Sequence, residues 1–267
     1  MKKILFTILI ICTSYCAQAS GKDSIRTQIS YYETGKIQTV VVYKNNMLHG
    51  KYISYYENGK VKEQGKYSMN VPVGKWKKFY EDGQLKTMAY YKKGLMDGDY
   101  CAYYKNGKKE FNEKYIKGLK SGMWTYWYEN GQIKDVQHYA NHKKEGMWVY
   151  YYENGKIQGE IHYILSKKNG IWKEWYMNGI LKQEIPYANN LQEGISKTYF
   201  ENGLLAEETS YKTNVKEGAW KKYYPNGKVS ISGFYTNGNL KTGLWEYFDE
   251  KGSLVKAETH SNEIRKK

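Results

Sequence analysis

The sequence predicts an all-β protein, an elongated antiparallel β-meander of about nine 24-residue hairpin repeats forming a single-layer twisted sheet. Three observations carry that prediction. Glycines stand at Gly35, Gly59, Gly83, Gly107, Gly131, Gly155, Gly179, Gly203 and Gly227, a constant step of 24 that marks a repeat architecture. An aromatic pair precedes each of them by three and four residues, as in Tyr55-Tyr56-Glu57-Asn58-Gly59 and Trp127-Tyr128-Glu129-Asn130-Gly131. No window repeats apolar residues at helical spacing for long, and an aromatic and β-branched run lies on both sides of each turn signal.

The chain opens with Lys2 and Lys3, an apolar run from Ile4 to Ile11, and the small-residue site Ala17-Gln18-Ala19. Residues 1–19 are therefore expected to be a cleavable signal peptide that directs export to the periplasm, the cell surface or the medium. The run is too short for a comfortable membrane span. Residues 20–30 read as a polar lead-in, 31–254 as the repeat array, and 255–267 as a C-terminal tail after the pattern dissolves. Cys12 and Cys16 leave with the signal, so Cys101 alone remains and no intramolecular disulfide can form.

Within one unit, Asn58-Gly59 reads as the two-residue loop of a type I′ hairpin, with positive φ at both positions. That register sets Glu57 against Lys60, Tyr56 against Val61 and Tyr55 against Lys62. Glu153/Lys156 and Tyr152/Ile157 repeat it. Side chains alternate faces along a strand, so Trp148, Tyr150 and Tyr152 are expected on one face with Ile157, Ile161 and Tyr163. Lys109 breaks the aliphatic ladder held elsewhere by Ile37, Val61, Leu85, Ile133, Ile157, Leu181, Leu205 and Val229. A tyrosine follows each glycine by eight residues, as at Tyr67 and Tyr163, and a second glycine follows by fifteen, as at Gly74 and Gly146. The second connection, Lys44-Asn45-Asn46-Met47-Leu48-His49-Gly50, reads as a longer loop. At ~4.8 Å per strand, about eighteen strands laid flat would run roughly 85 Å.

The phrase Tyr-Tyr-Glu-Asn-Gly-Lys-Ile, a tyrosine, then Gly74-Lys75-Trp76 or Leu48-His49-Gly50-Lys51-Tyr52 closely resembles the bacterial variant of the MORN repeat. The resemblance covers residues 31 to 254. It implies a sheet of stacked hairpins. Some bacterial members carry a YwqK-type antitoxin label, and the family's full name, membrane occupation and recognition nexus, evokes membrane attachment.

Chemistry is harder to find. His138 and His162 share a position in adjacent units, but an intervening strand separates them by ~10 Å, too far to share one zinc with bonds of ~2 Å. Glu207 and Glu208 are strand neighbours and point to opposite faces. No phosphate loop opens a helix. The chain is read as non-enzymatic, with no catalytic, cofactor or metal residues. Net charge is +15, or +13 without Lys2 and Lys3, and the lysines are spread through every unit. That spread and the export signal argue against a nucleic-acid partner and suit strand-edge protection and solubility. The leading expectation is a secreted or periplasmic binding or scaffold protein for a protein partner or an envelope polymer. Its candidate surface is Trp76, Tyr80, Trp124, Tyr128, Trp148, Tyr152, Trp172, Tyr176 and Trp220, although packing between strands competes for every one of them. The alternatives are an antitoxin or immunity-like protein that occludes a toxin, which the resemblance implies, and attachment to anionic membrane surfaces.

Overall fold

A computed structural model describes residues 24–261. The expected signal segment 1–19 and the last residues of the tail lie outside that range. The chain divides after Lys120 into an N-terminal and a C-terminal unit. In both, the described residues form antiparallel strands and turns, with no α-helix.

In the N-terminal unit, Ile25–Tyr31, Ile37–Lys44, Met47–Tyr55, Val61–Ser68, Val71–Phe79 and Leu85–Lys92 each pair antiparallel with the next. Gly98–Tyr103 and Lys109–Ile116 continue the meander. The C-terminal unit repeats the plan from Gly122–Trp127 to Leu254–His260. Pairing therefore extends past the expected array at both ends. Ile25–Tyr31 occupies most of the supposed lead-in, because Ile29 and Ser30 find partners in Val40 and Thr39. Leu254–His260 occupies the start of the supposed tail, paired with Leu240–Phe248.

The two kinds of connection are the reverse of the sequence reading. At the Asn-Gly turn, Gly59 N donates to Tyr56 O at 2.9 Å and Tyr56 N donates to Lys60 O at 2.8 Å. Gly59 has φ 86°, and Asn58 keeps an ordinary negative φ. This is a three-residue loop, a β-turn closed by a left-handed glycine in a bulge, and not a type I′ turn. It shifts the register by one, so Tyr55, not Tyr56, faces Val61, and Tyr151, not Tyr152, faces Ile157. Of the aliphatic ladder, Ile37, Ile133 and Ile157 are exposed, while Val61, Leu85, Leu181, Leu205 and Val229 are half-buried. The type I′ signature, two consecutive positive φ angles, lies in the other connection: Asn45-Asn46, Met69-Asn70, Lys93-Gly94, Asn141-His142, Leu165-Ser166 and Asn189-Asn190. What reads as a seven-residue loop is a two-residue turn, with Lys44 facing Met47 and Tyr43 facing Leu48, followed by a bulge before the next strand run.

The core is a ladder of rings along one face. Tyr67 meets Trp76 at 4.9 Å between centroids, and Trp76 meets Tyr91 at 6.3 Å. In the C-terminal unit Trp124, Tyr139, Trp148 and Tyr163 follow one another at 4.8, 5.3 and 5.1 Å. Trp220, Tyr235 and Trp245 form a further run. Edge-on and tilted contacts of this kind each add about 0.5–1.5 kcal/mol beyond area burial. The rings sit so close to the strands that Gly65 has no substitute: a Cβ there would lie 2.2 Å from the Trp76 ring.

Candidate functional site

The tryptophans expected on a binding face are mostly packing residues. Trp124 is 1% exposed, and Trp76 and Trp148 are also buried. Trp172 and Trp220 are half-buried in the same ladder. Lysine stems cover the rings from the solvent side. Lys144 Nζ lies 4.2 Å from the Trp148 ring centre and 4.9 Å from that of Tyr163. Lys168 sits over Trp172 and Tyr187, and Lys241 over Trp245. Each such contact contributes about 0.5–1 kcal/mol at an exposed site. Some indole nitrogens of the ladder are engaged as well, Trp148 Nε1 donating to His138 O at 3.1 Å and Trp220 Nε1 to Glu207 Oε1 at 2.9 Å, whereas Trp76 Nε1 is buried without a partner among the described residues.

The turn tyrosines do a second structural task. Tyr80 Oη donates to Tyr103 O, Tyr128 Oη to Tyr151 O, Tyr152 Oη to Trp175 O and Tyr176 Oη to Tyr199 O, all at 2.7–2.8 Å. Each hydroxyl ties one turn to the backbone just before the next. The turn asparagine adds a parallel tie: Asn58 Nδ2 donates to Glu81 O, while its Oδ1 accepts from Lys60 N.

The opposite face of the C-terminal unit carries the surface that the sequence reading missed. One residue after each second glycine stand Met123, Met147, Ile171, Ile195, Ala219 and Leu244. The five large ones are 43–54% exposed. Directly across the ladder they face His138, His162, Pro186, Ser210, Phe234 and Thr259. In the N-terminal unit the same position holds Lys51, Lys75 and Asp99, all exposed. The signal was a change from charged to apolar at one fixed position, beside a glycine–aromatic motif read as a whole.

Alongside this apolar row runs a row of alternating charge. Glu160 faces Lys173, Lys173 faces Glu184, Glu184 faces Lys197, Lys197 faces Glu208, and Glu208 faces Lys221, strand after strand. Lys197 Nζ lies 3.6 Å from Glu208 Oε1. Tyr199 Oη donates to Glu184 Oε2 and Tyr223 Oη to Glu208 Oε2. Burial first, and then these carboxylate bonds, push both phenols up to about 12. Opposite charges in direct cross-strand pairs contribute about 0.2–1 kcal/mol each.

Among the described residues no cluster of three or more His, Cys, Asp or Glu side chains could hold a metal ion. His138 Nδ1 lies 2.9 Å from Met147 O. Cys101 is buried, its Sγ donates to Asn112 Oδ1, and burial pushes its thiol pKa up. Such a thiol packs rather than reacts.

The sequence profile of the MORN repeat variant matches eight stretches, 27–45, 48–68, 72–93, 120–141, 144–164, 168–189, 192–213 and 216–237. No curated protein matches the chain. Among solved structures, a Tc holotoxin pore of Photorhabdus luminescens is similar at 10% identity over 83% of this chain and 13% of that one, with a TM-score of 0.21. A porin-like protein from Bacteroides uniformis is similar at 10% identity over 82% of this chain and 89% of that one, with a TM-score of 0.20. The chain thus spans 13% of the length of the first of these. At such values neither likeness bears on function.

Proposed function

Because the chain belongs to the MORN repeat variant family, we propose that it is an exported, non-enzymatic repeat protein that binds another protein through the outer face of its C-terminal unit. The observation that carries this reading is the exposed row Met123, Met147, Ile171, Ile195 and Leu244. An exposed apolar row of this kind, its members two strands apart and rimmed by polar groups, is the surface feature that an interaction site presents. The stripe replaces the charged row of the N-terminal unit, so it is not a by-product of the repeat. The spacing of consecutive anchors is set by the strands, which suits an ordered protein surface better than an irregular polymer. Several lysines are already seated on their own rings, which favours a protein partner over an anionic membrane. An occluded toxin would be one such partner.

Site-specific photo-crosslinking in the producing cell tests the reading. A crosslinker at Ile171 should give a protein adduct of defined mass, and one at Lys75, the equivalent site of the N-terminal unit, should not. Export is checked on the same material, since intact mass should place the mature N-terminus at Ser20. Adducts from neither position would remove the binding-surface reading, and retention of residues 1–19 would remove export.

A further inference from the structure

We propose that the C-terminal unit binds the C-terminal unit of a second copy of this chain, face to face, about a two-fold axis that runs parallel to the strands between Glu184 and Lys197. This rests on the binding-surface reading and deepens it by naming the occupant. The argument is the order of charge along the row Glu160, Lys173, Glu184, Lys197, Glu208, Lys221. An alternating row with an even number of members shows the opposite charge at every position when it is reversed. Laid against itself in reverse, Glu160 meets Lys221, Lys173 meets Glu208 and Glu184 meets Lys197, each twice. Laid against itself in the same direction, every charge meets its like. A contact between identical surfaces must be self-complementary, and this row satisfies that condition in one orientation only.

The same axis keeps each row over its own kind. On the apolar row Ile195 then meets Pro186, Ile171 meets Ser210 and Met147 meets Phe234 of the other copy, while Ala219 and Leu244 lie against His162 and His138. The strands of the two faces stay nearly aligned, as in packed β-sandwiches with faces ~10 Å apart. The N-terminal unit offers no such pattern. Its equivalent row reads Ile53, Gln64, Lys77, Met88, Cys101, Asn112, with one charge among six. Its flanking row is Lys51, Lys75 and Asp99, which would repel or hydrate rather than dock.

Sedimentation equilibrium on the full chain should find a dimer. Lys197→Glu alone places glutamate against Glu184 of the copy, and Glu184→Lys alone places lysine against Lys197. Each single variant should raise the dimer dissociation constant by about tenfold or more. Mixed in equal amounts, the two variants should recover wild-type affinity as a heterodimer, because all six contacts become complementary again. Damage to folding would not be rescued by mixing. Ile171→Glu with Ile195→Glu, at exposed positions, should also dissociate the dimer, while Lys51→Glu with Lys75→Glu should leave it intact. A wild-type dimer indifferent to the C-terminal variants, or single variants that dissociate without rescue on mixing, would overturn the proposal. A monomeric wild-type chain that still gives an Ile171 adduct to another protein would overturn self-pairing and keep the binding-surface reading. A monomer without adducts would overturn both.

Discussion

Leu165 holds φ 49° in a two-residue turn, a backbone region that costs an ordinary L-residue about 1–2 kcal/mol. Its side chain is 61% exposed, so little packing compensates. Its amide donates to Glu145 Oε2, a bond that any residue there can keep. Asparagine tolerates this conformation and stands at the matching position in Asn45, Asn141 and Asn189. Leu165→Asn should therefore raise stability by up to about 1 kcal/mol. An unchanged or lower urea midpoint would remove the strain assignment. Gly131 is the opposite case, with φ 92° at the bulged turn. Gly131→Val should lower the midpoint clearly, whereas Lys134→Val, at an exposed strand position, should change it little. Equal midpoints for the pair would sink the turn geometry.

At the scale of the element, the hairpin was legible and its turn chemistry was not. The 24-residue step located the glycine turns from Gly35 to Gly227, and each of those glycines holds the positive φ expected of it. Asn58 was misread because its value lies in its side chain, which reaches Glu81 O across to the next repeat. Contacts between repeats leave no trace in a reading of one repeat. The type I′ turns were missed for a different reason: their residues vary from Asn-Asn to Met-Asn to Leu-Ser, so a search for constancy passes over them. The buried ladder was legible as a pattern, yet part of its burial comes from the stems of Lys144, Lys168 and Lys241, two residues before Gly146, Gly170 and Gly243, which a hydrophobicity pattern counts as surface. The tyrosine ties give a reciprocal test. Phe200 holds the turn position where Tyr152 and Tyr176 donate to the backbone of the following repeat. Tyr152→Phe should cost about 0.5–1.5 kcal/mol, and Phe200→Tyr, aimed at Tyr223 O, should recover a similar amount. Thermal melts of both variants decide, and loss of stability in both would show that the hydroxyl is not the working part.

For the molecule as a whole, 30 tyrosines supply much of the apolar surface, and that choice has a consequence at high pH. Tyr150, Tyr199 and Tyr223 are pushed up to about 12, each chiefly by burial. Tyr67, Tyr100, Tyr128, Tyr163 and Tyr211 are raised from 10.0 by the same cause. In the unfolded chain a tyrosine loses its proton near 10. Between about pH 10 and pH 12 the unfolded state has therefore released protons that the folded state still holds, and stability falls as pH rises through that window. Below it both states are protonated and these groups contribute no pH dependence. Urea midpoints measured from about pH 9 to about pH 12 should be level at first and then fall steeply. Tyrosinate absorbance of the folded protein should rise later than that of the urea-unfolded chain. Lysine neutralisation, which would loosen the cations seated on the rings, acts in the same direction but leaves tyrosinate absorbance unchanged. Tyr150→Phe separates the two by removing one raised phenol and no lysine, and it should make the fall shallower. Superimposable absorbance titrations of folded and unfolded protein would refute the linkage, because then no tyrosine would hold its proton more tightly in the fold.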